Sequence, residues 1–170
     1  MADDVAVLRD GCSAACDADA DIRRGPILDL PQRIHGGDAK GVNRRLISSG
    51  AAFEERVGYS RAVVADGHVW VSGTAPIMPD DADPPADAYG QARRCLEVVA
   101  VALAEAGATL DDVVRTRIYL TRADLIDDVG RAHAEAFAAA RPATTAIVAE
   151  LLDARWLVEI EAEAILPADR

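Results

Sequence analysis

The stretch "VEIEAEAI", residues 158–165, constrains the fold more than any other, because Glu159, Glu161 and Glu163 alternate there with apolar residues. Successive side chains on a β-strand point to opposite faces. A strand through this stretch therefore sends Trp156, Val158, Ile160, Ala162 and Ala164 one way, and Leu157 with the three glutamates the other. The first face needs an apolar cover. The second needs water, cations or another chain. Upstream, "VVRTRIYL" at 113–120 divides in the same manner, into Val114, Thr116, Ile118 and Leu120 against Arg115, Arg117 and Tyr119. A sheet face carrying both signs suits a subunit interface or the wall of a polar cleft. The alternative is a solvated face whose ion pairs are worth about 0–1 kcal/mol each.

The remaining elements follow from local signals. "YSRAVVADGHVWVSG" holds two β-rich runs, 60–65 and 68–73, around Asp66-Gly67. That dipeptide suits a type I′ hairpin turn, whose two central residues both need positive φ. "PIMPDDADPPADA" reads as a loop. A helix is expected over 88–106, where Ala92, Cys95, Leu96, Val99, Leu103 and Ala106 recur at helical spacing and Gly107 suits the C-cap. A strand over 113–121 leads to a helix over 125–139, with Leu125, Val129, Ala132 and Ala136 as its buried stripe. Strands over 144–149 and 156–164 close the domain. The expected fold is α+β: a single mixed sheet in the order ββαβαββ, with two helices on one face. It occupies residues 45–168, behind a flexible Asp-, Gly- and Pro-rich extension over 1–44.

Composition narrows the function. Eighteen basic residues face 29 acidic ones, a net charge of −11. Such a chain repels nucleic-acid phosphate at long range, and aromatics at 4% leave few stacking platforms. Three cysteines, Cys12, Cys16 and Cys95, form no disulfide framework and no spaced zinc-ligand set. No apolar run is long enough to span a membrane, and Asp3 and Asp4 stand where a signal peptide carries positive charge. A cytoplasmic setting is expected. His133 and His68 read as surface or satisfied residues, and Cys95 as a small core residue. The glycines at 11, 36, 37 and 41 lack the strand–loop–helix context of a phosphate loop.

Six short motifs, in this order and spacing, give the chain a family resemblance: "GYSRAV" (58–63), "VWVSGTAP" (69–76), "QARRCLEVV" (91–99), "AGATLDDVVRTRIYLT" (106–121), "RPATTAIV" (141–148) and "VEIEAEAI" (158–165). Together they resemble the reactive-intermediate deaminase family (Rid, also YjgF/UK114), over residues 47–167. The resemblance implies a chorismate-mutase-like fold, a homotrimer whose sheets line a central barrel, and a ligand cleft at each subunit boundary. It also implies hydrolysis of reactive imines and enamines to a carbonyl compound and ammonia, with a small carboxylate or imine as ligand and no metal or organic cofactor. By this likeness Glu159 handles water and Tyr59 is its catalytic companion, while Ser72 and Gly73 hold an anion through hydroxyl and backbone N–H. Thr74, Thr144, Thr145 and Arg117 are further candidate substrate-binding residues.

The chain departs from the family at the cation. Fifteen residues before Glu159, where deaminating members carry a carboxylate-binding arginine, stands Thr144, followed by Thr145 and Ala146. A neutral hydroxyl replaces a charged planar fork. Thr74 likewise stands where a glutamine often follows Ser-Gly. The resemblance is thus to a subgroup lacking the arginine. Arg117, Arg61 and Arg141 are alternative cations, each of which could instead pair with the glutamate row or face solvent. Two functions remain: an imine or enamine hydrolase, and a trimer that binds a small ligand without chemistry. An endoribonuclease is disfavoured by the charge.

Overall fold

The computed structural model describes residues 44–167. The expected extension, with Cys12 and Cys16, lies outside the described residues, except that Arg44 opens the first strand. The strands are β1 (Arg44–Ile47), β2 (Ala62–Ala65), β3 (His68–Thr74), β4 (Val113–Leu120), β5 (Ala143–Val148) and β6 (Val158–Ile165). The helices are α1 (Ala52–Val57), α2 (Ala88–Ala106) and α3 (Ile126–Ala136). One mixed sheet has the order β1-β2-β3-β6-β4-β5, antiparallel throughout except for the parallel pair β4–β5. The acidic strand β6 therefore sits at the centre of the sheet.

The expected order ββαβαββ holds from β2 onward, and β1 and α1 are added before it. Both are short, at four and six residues, too brief for a clear period. β1 is held partly from outside the sheet. Arg45 donates to the carbonyls of Glu105 and Ala106, at 2.8 and 2.6 Å, where the C-terminal end of α2 attracts a cation. The hairpin turn is as its residues require: Asp66 and Gly67 have φ of 48° and 78°, and Ala65 faces His68. α2 begins at Asp87, whose side chain accepts from the Gly90 N–H at 2.8 Å, and ends at Gly107 in the left-handed region.

The core lies between the sheet and the helices. α2 packs on β3 and β6, and α3 packs on α2. Val158, Ile160, Ala162 and Ala164 are all essentially inaccessible, as the alternation in β6 demands. Val99, Leu103, Val129 and Phe137 meet them from the helices. β4 departs from its expected faces at its start. Val113 pairs with Ala164 and Arg115 with Glu163, so two residues of β4 are spanned against one of β6. This bulge buries Val113 and turns Val114 out to 45% exposure. From Thr116 onward the faces are as expected. Along β5 all six residues are exposed. Among the described residues no helix is long and apolar enough to cross a membrane.

Candidate functional site

The three glutamates of β6 share a face but not an environment. Arg117 holds two of them, with Nη1 at 3.0 Å from Glu161 and 2.8 Å from Glu163. The Tyr119 hydroxyl donates to the other Glu161 oxygen at 2.9 Å. Hydrogen bonds to Glu161 and Glu163 raise the Arg117 pKa, and burial followed by the Glu161 bond raises that of Tyr119. Among the described residues no hydrogen bond or ion pair reaches Glu159. Burial pushes its carboxyl above the ordinary value, the Glu161 charge adds to that, and Arg61 opposes it.

Facing Glu159 is an irregularity in β3. Val71 pairs with Ala162 and Thr74 with Ile160, so Ser72 and Gly73 bulge from the ladder. A Cβ on Gly73 would collide with the Glu159 carboxylate, and glycine is thus the residue that lets backbone and carboxylate meet. Three side chains fix the bulge through four hydrogen bonds. Arg61 donates from Nη2 to the carbonyls of Ser72 and Gly73, at 2.5 and 2.7 Å. Thr74 donates its hydroxyl to the Ser72 carbonyl at 2.8 Å. The Ser72 hydroxyl donates to the Ser60 carbonyl at 2.8 Å, which leaves its oxygen free only to accept. Thr74 is fully buried; its side chain braces the bulge rather than facing a ligand.

Tyr59 joins this group through Arg61, whose Cζ lies 6.0 Å from the ring centroid. The chain leaves α1 through Gly58, at φ 80°, and the Tyr59 ring meets Phe53 edge-on at 6.0 Å. Beneath it Glu54, buried, accepts from the Ser48 and Ser49 hydroxyls, both at 2.6 Å, and from the Ser49 N–H. Burial pushes the Glu54 carboxyl up, but the serine hydrogen bonds pull it down further, to a net lowering. The sequence marks Glu54 only through "SSGAAFE", two serines ahead of a helix-start glutamate.

The threonines of β5 stand apart. Thr144 pairs with Thr116 across the parallel ladder, and their hydroxyls are 2.9 Å apart. Thr116 also meets His133 Nε2 at 2.9 Å, and Thr144 donates to the Pro142 carbonyl at 3.1 Å. This chain of bonds runs toward α3, away from the acidic face. Thr145 is opposite Arg117, two strands from β6 and so roughly 10 Å from it by sheet spacing. Within one chain, then, Tyr59, Arg61, Ser72, Gly73 and Glu159 converge, while Thr144, Thr145 and Arg117 do not join them. Burial lowers the His133 pKa, and its ring packs on Phe137 with centroids 4.6 Å apart. Burial drives the Cys95 thiol far above its ordinary value, which leaves it unreactive.

Comparison with known proteins adds relatives to this geometry. The family model described as Endoribonuclease L-PSP matches residues 49–166. An uncharacterised protein of Streptomyces coelicolor is 39% identical over 121 residues, covering 71% of this chain and 90% of the relative. A RutC family protein of Pyrococcus abyssi is 32% identical over 107 residues, or 62% of this chain and 84% of the relative. Among solved structures, Rv2704 of Mycobacterium tuberculosis, a member of the YjgF/YER057c/UK114 family, superposes with a TM-score of 0.66 at 44% identity. That match covers 72% of this chain and 99% of Rv2704. YyfA of Yersinia pestis, of the Rid protein family, gives a TM-score of 0.65 at 29% identity, with coverage of 72% and 99%.

Proposed function

The chain belongs to the Endoribonuclease L-PSP family, that of YjgF/UK114, and on that premise we propose that it hydrolyses small imines or enamines to a carbonyl compound and ammonia, without metal or organic cofactor. One observation carries the reading. Among the described residues no cation is bonded to Glu159, unlike Glu161 and Glu163; burial raises its pKa, and it lies against the Ser72–Gly73 bulge. A carboxylate tuned upward is suited to accept and return a proton near neutral pH.

In the proposed step Glu159 takes a proton from water as the water oxygen bonds to the imine carbon, and the π pair of the C=N bond passes to nitrogen, which takes up a proton from bulk water. In the second step the carbinol O–H loses its proton to bulk water and the C=O bond forms. Glu159 returns its proton to nitrogen, the C–N bond breaks and ammonia departs. One imine and one water give one carbonyl compound and one ammonia. Tyr59, Ser72 and Gly73 line the substrate, and Thr145 and Arg117 approach it from other copies of the chain in a homotrimer.

A second reading, a trimer that binds a small ligand without chemistry, is favoured by Thr144. It offers no charge where deaminating members carry arginine, and its hydroxyl is already bonded to Thr116. An RNA-cleaving role fits poorly with a net charge of −11. The test is ammonia release from 2-aminoacrylate and from imines generated by an amino-acid oxidase. We expect acceleration, and a loss of roughly hundredfold on Glu159→Gln. No acceleration with any of these imines, or full activity in the variant, rejects hydrolysis at this residue.

A further inference from the structure

We propose that Arg61 is the positioning residue of this site: its guanidinium fastens the carbonyls of Ser72 and Gly73 and so holds the β3 bulge in place against the Glu159 carboxylate. The inference rests on the reading of that cleft as a reaction site. Arg61 is only 6% exposed, too enclosed to bind a substrate carboxylate directly. Its Nη2 bonds both carbonyls, at 2.5 and 2.7 Å. In a regular strand successive carbonyls point to opposite sides. Two that converge on one nitrogen belong to the bulge, and the guanidinium is what holds them together.

The arrangement is expensive for the fold. Burial lowers the Arg61 pKa, and its Nε is buried without a hydrogen-bond partner among the described residues. Native structures leave few such groups unsatisfied, and those that persist invite a functional explanation. The functional return lies one residue away, where Gly73 approaches the Glu159 carboxylate so closely that no side chain fits between them. A small displacement of the bulge would move the backbone that lines the proposed water position, and misplacements of about 1 Å can cost roughly hundredfold in rate.

Arg61→Lys and Arg61→Met in the full chain separate position from charge. Lysine keeps the charge, but its ammonium ends one bond short of Nη2. We expect Arg61→Lys to shift the Gly73 amide resonance nearly as far as Arg61→Met does. The carboxyl titration of Glu159, followed by carbon NMR, should stay near that of the parent in Arg61→Lys and rise in Arg61→Met. With the imine substrate, kcat should fall roughly tenfold or more in both variants while KM stays within about twofold. An Arg61→Lys variant with the parent's Gly73 resonance and the parent's kcat overturns the proposal. If the parent hydrolyses no imine, the proposed function fails, and the Gly73 resonance alone still decides: unshifted in both variants, it overturns the positioning role. If neither variant folds, the unaltered protein decides. Through-hydrogen-bond couplings from Arg61 Nη to the Ser72 and Gly73 carbonyl carbons support the role, and their absence refutes it.

Discussion

Two carboxylates that both act on Arg61, Glu159 and Glu54, have opposite tendencies. Glu159 has a raised folded-state pKa, so its ionised form is disfavoured by folding. Stability it lends when protonated is lost as pH rises through that pKa. Glu159→Gln should therefore raise the melting temperature at pH 7 while abolishing the proposed chemistry, the exchange of activity for stability expected at a tuned site. A lower melting temperature would contradict the assigned strain. The acid limb of kcat/KM should lie above the ordinary glutamate pKa, and Glu161→Gln should move it down by removing a like charge. Glu54 runs the other way. Its pKa is lowered, so its contribution is present above the unfolded value and disappears as pH falls through the folded one. Urea titrations across acid pH should show Glu54→Gln weakening the protein at neutral pH and converging with the parent in acid.

At the scale of elements, the alternation of β6 was legible because each of its positions obeys a single period, from Val158 to Ala164. The hairpin was legible because Asp66-Gly67 admits few alternatives. β4 departs from its expected faces at one residue, since a bulge has no signature in "VVRTR" and either valine could face the core. Val113→Thr should cost about 1–2 kcal/mol of unfolding free energy, whereas Val114→Thr should fall within about 0.5 kcal/mol of the parent; equal penalties would place the bulge elsewhere. The role of Arg61 was equally hidden. The sequence shows a cation near acids, and only the folded chain shows that carbonyls hold it. The motifs place Thr74 and Thr144 as candidate ligand contacts. In the folded chain their hydroxyls bond the Ser72 carbonyl and Thr116, partners that come together only when the sheet is assembled.

For the whole molecule, the open face of the sheet and the exposed strand β5 set the main expectation. Ile147 and Val148, each at least half exposed, stand on an edge strand beside Thr145, and unpaired edges of this kind invite pairing with another chain. In the proposed trimer this edge is covered. Sedimentation equilibrium should then give three times the chain mass, and Ile147→Lys should shift the protein toward monomer and reduce activity with it. A monomer that retains full activity would show that the cleft needs no second copy.

The central position of β6 also bears on synthesis. This strand is translated after every other strand of the sheet, yet it joins β3 to β4. Until it leaves the ribosome, β1–β2–β3 and β4–β5 are two separate ribbons, each with a bare edge that the same missing segment must fill. Contacts that span so much sequence form slowly, and nascent chains with open edges are prone to aggregate. A ribosome stalled before residue 158 would hold a chain with neither a closed sheet nor Glu159, so completion of the fold and arrival of the proposed catalytic group are one event.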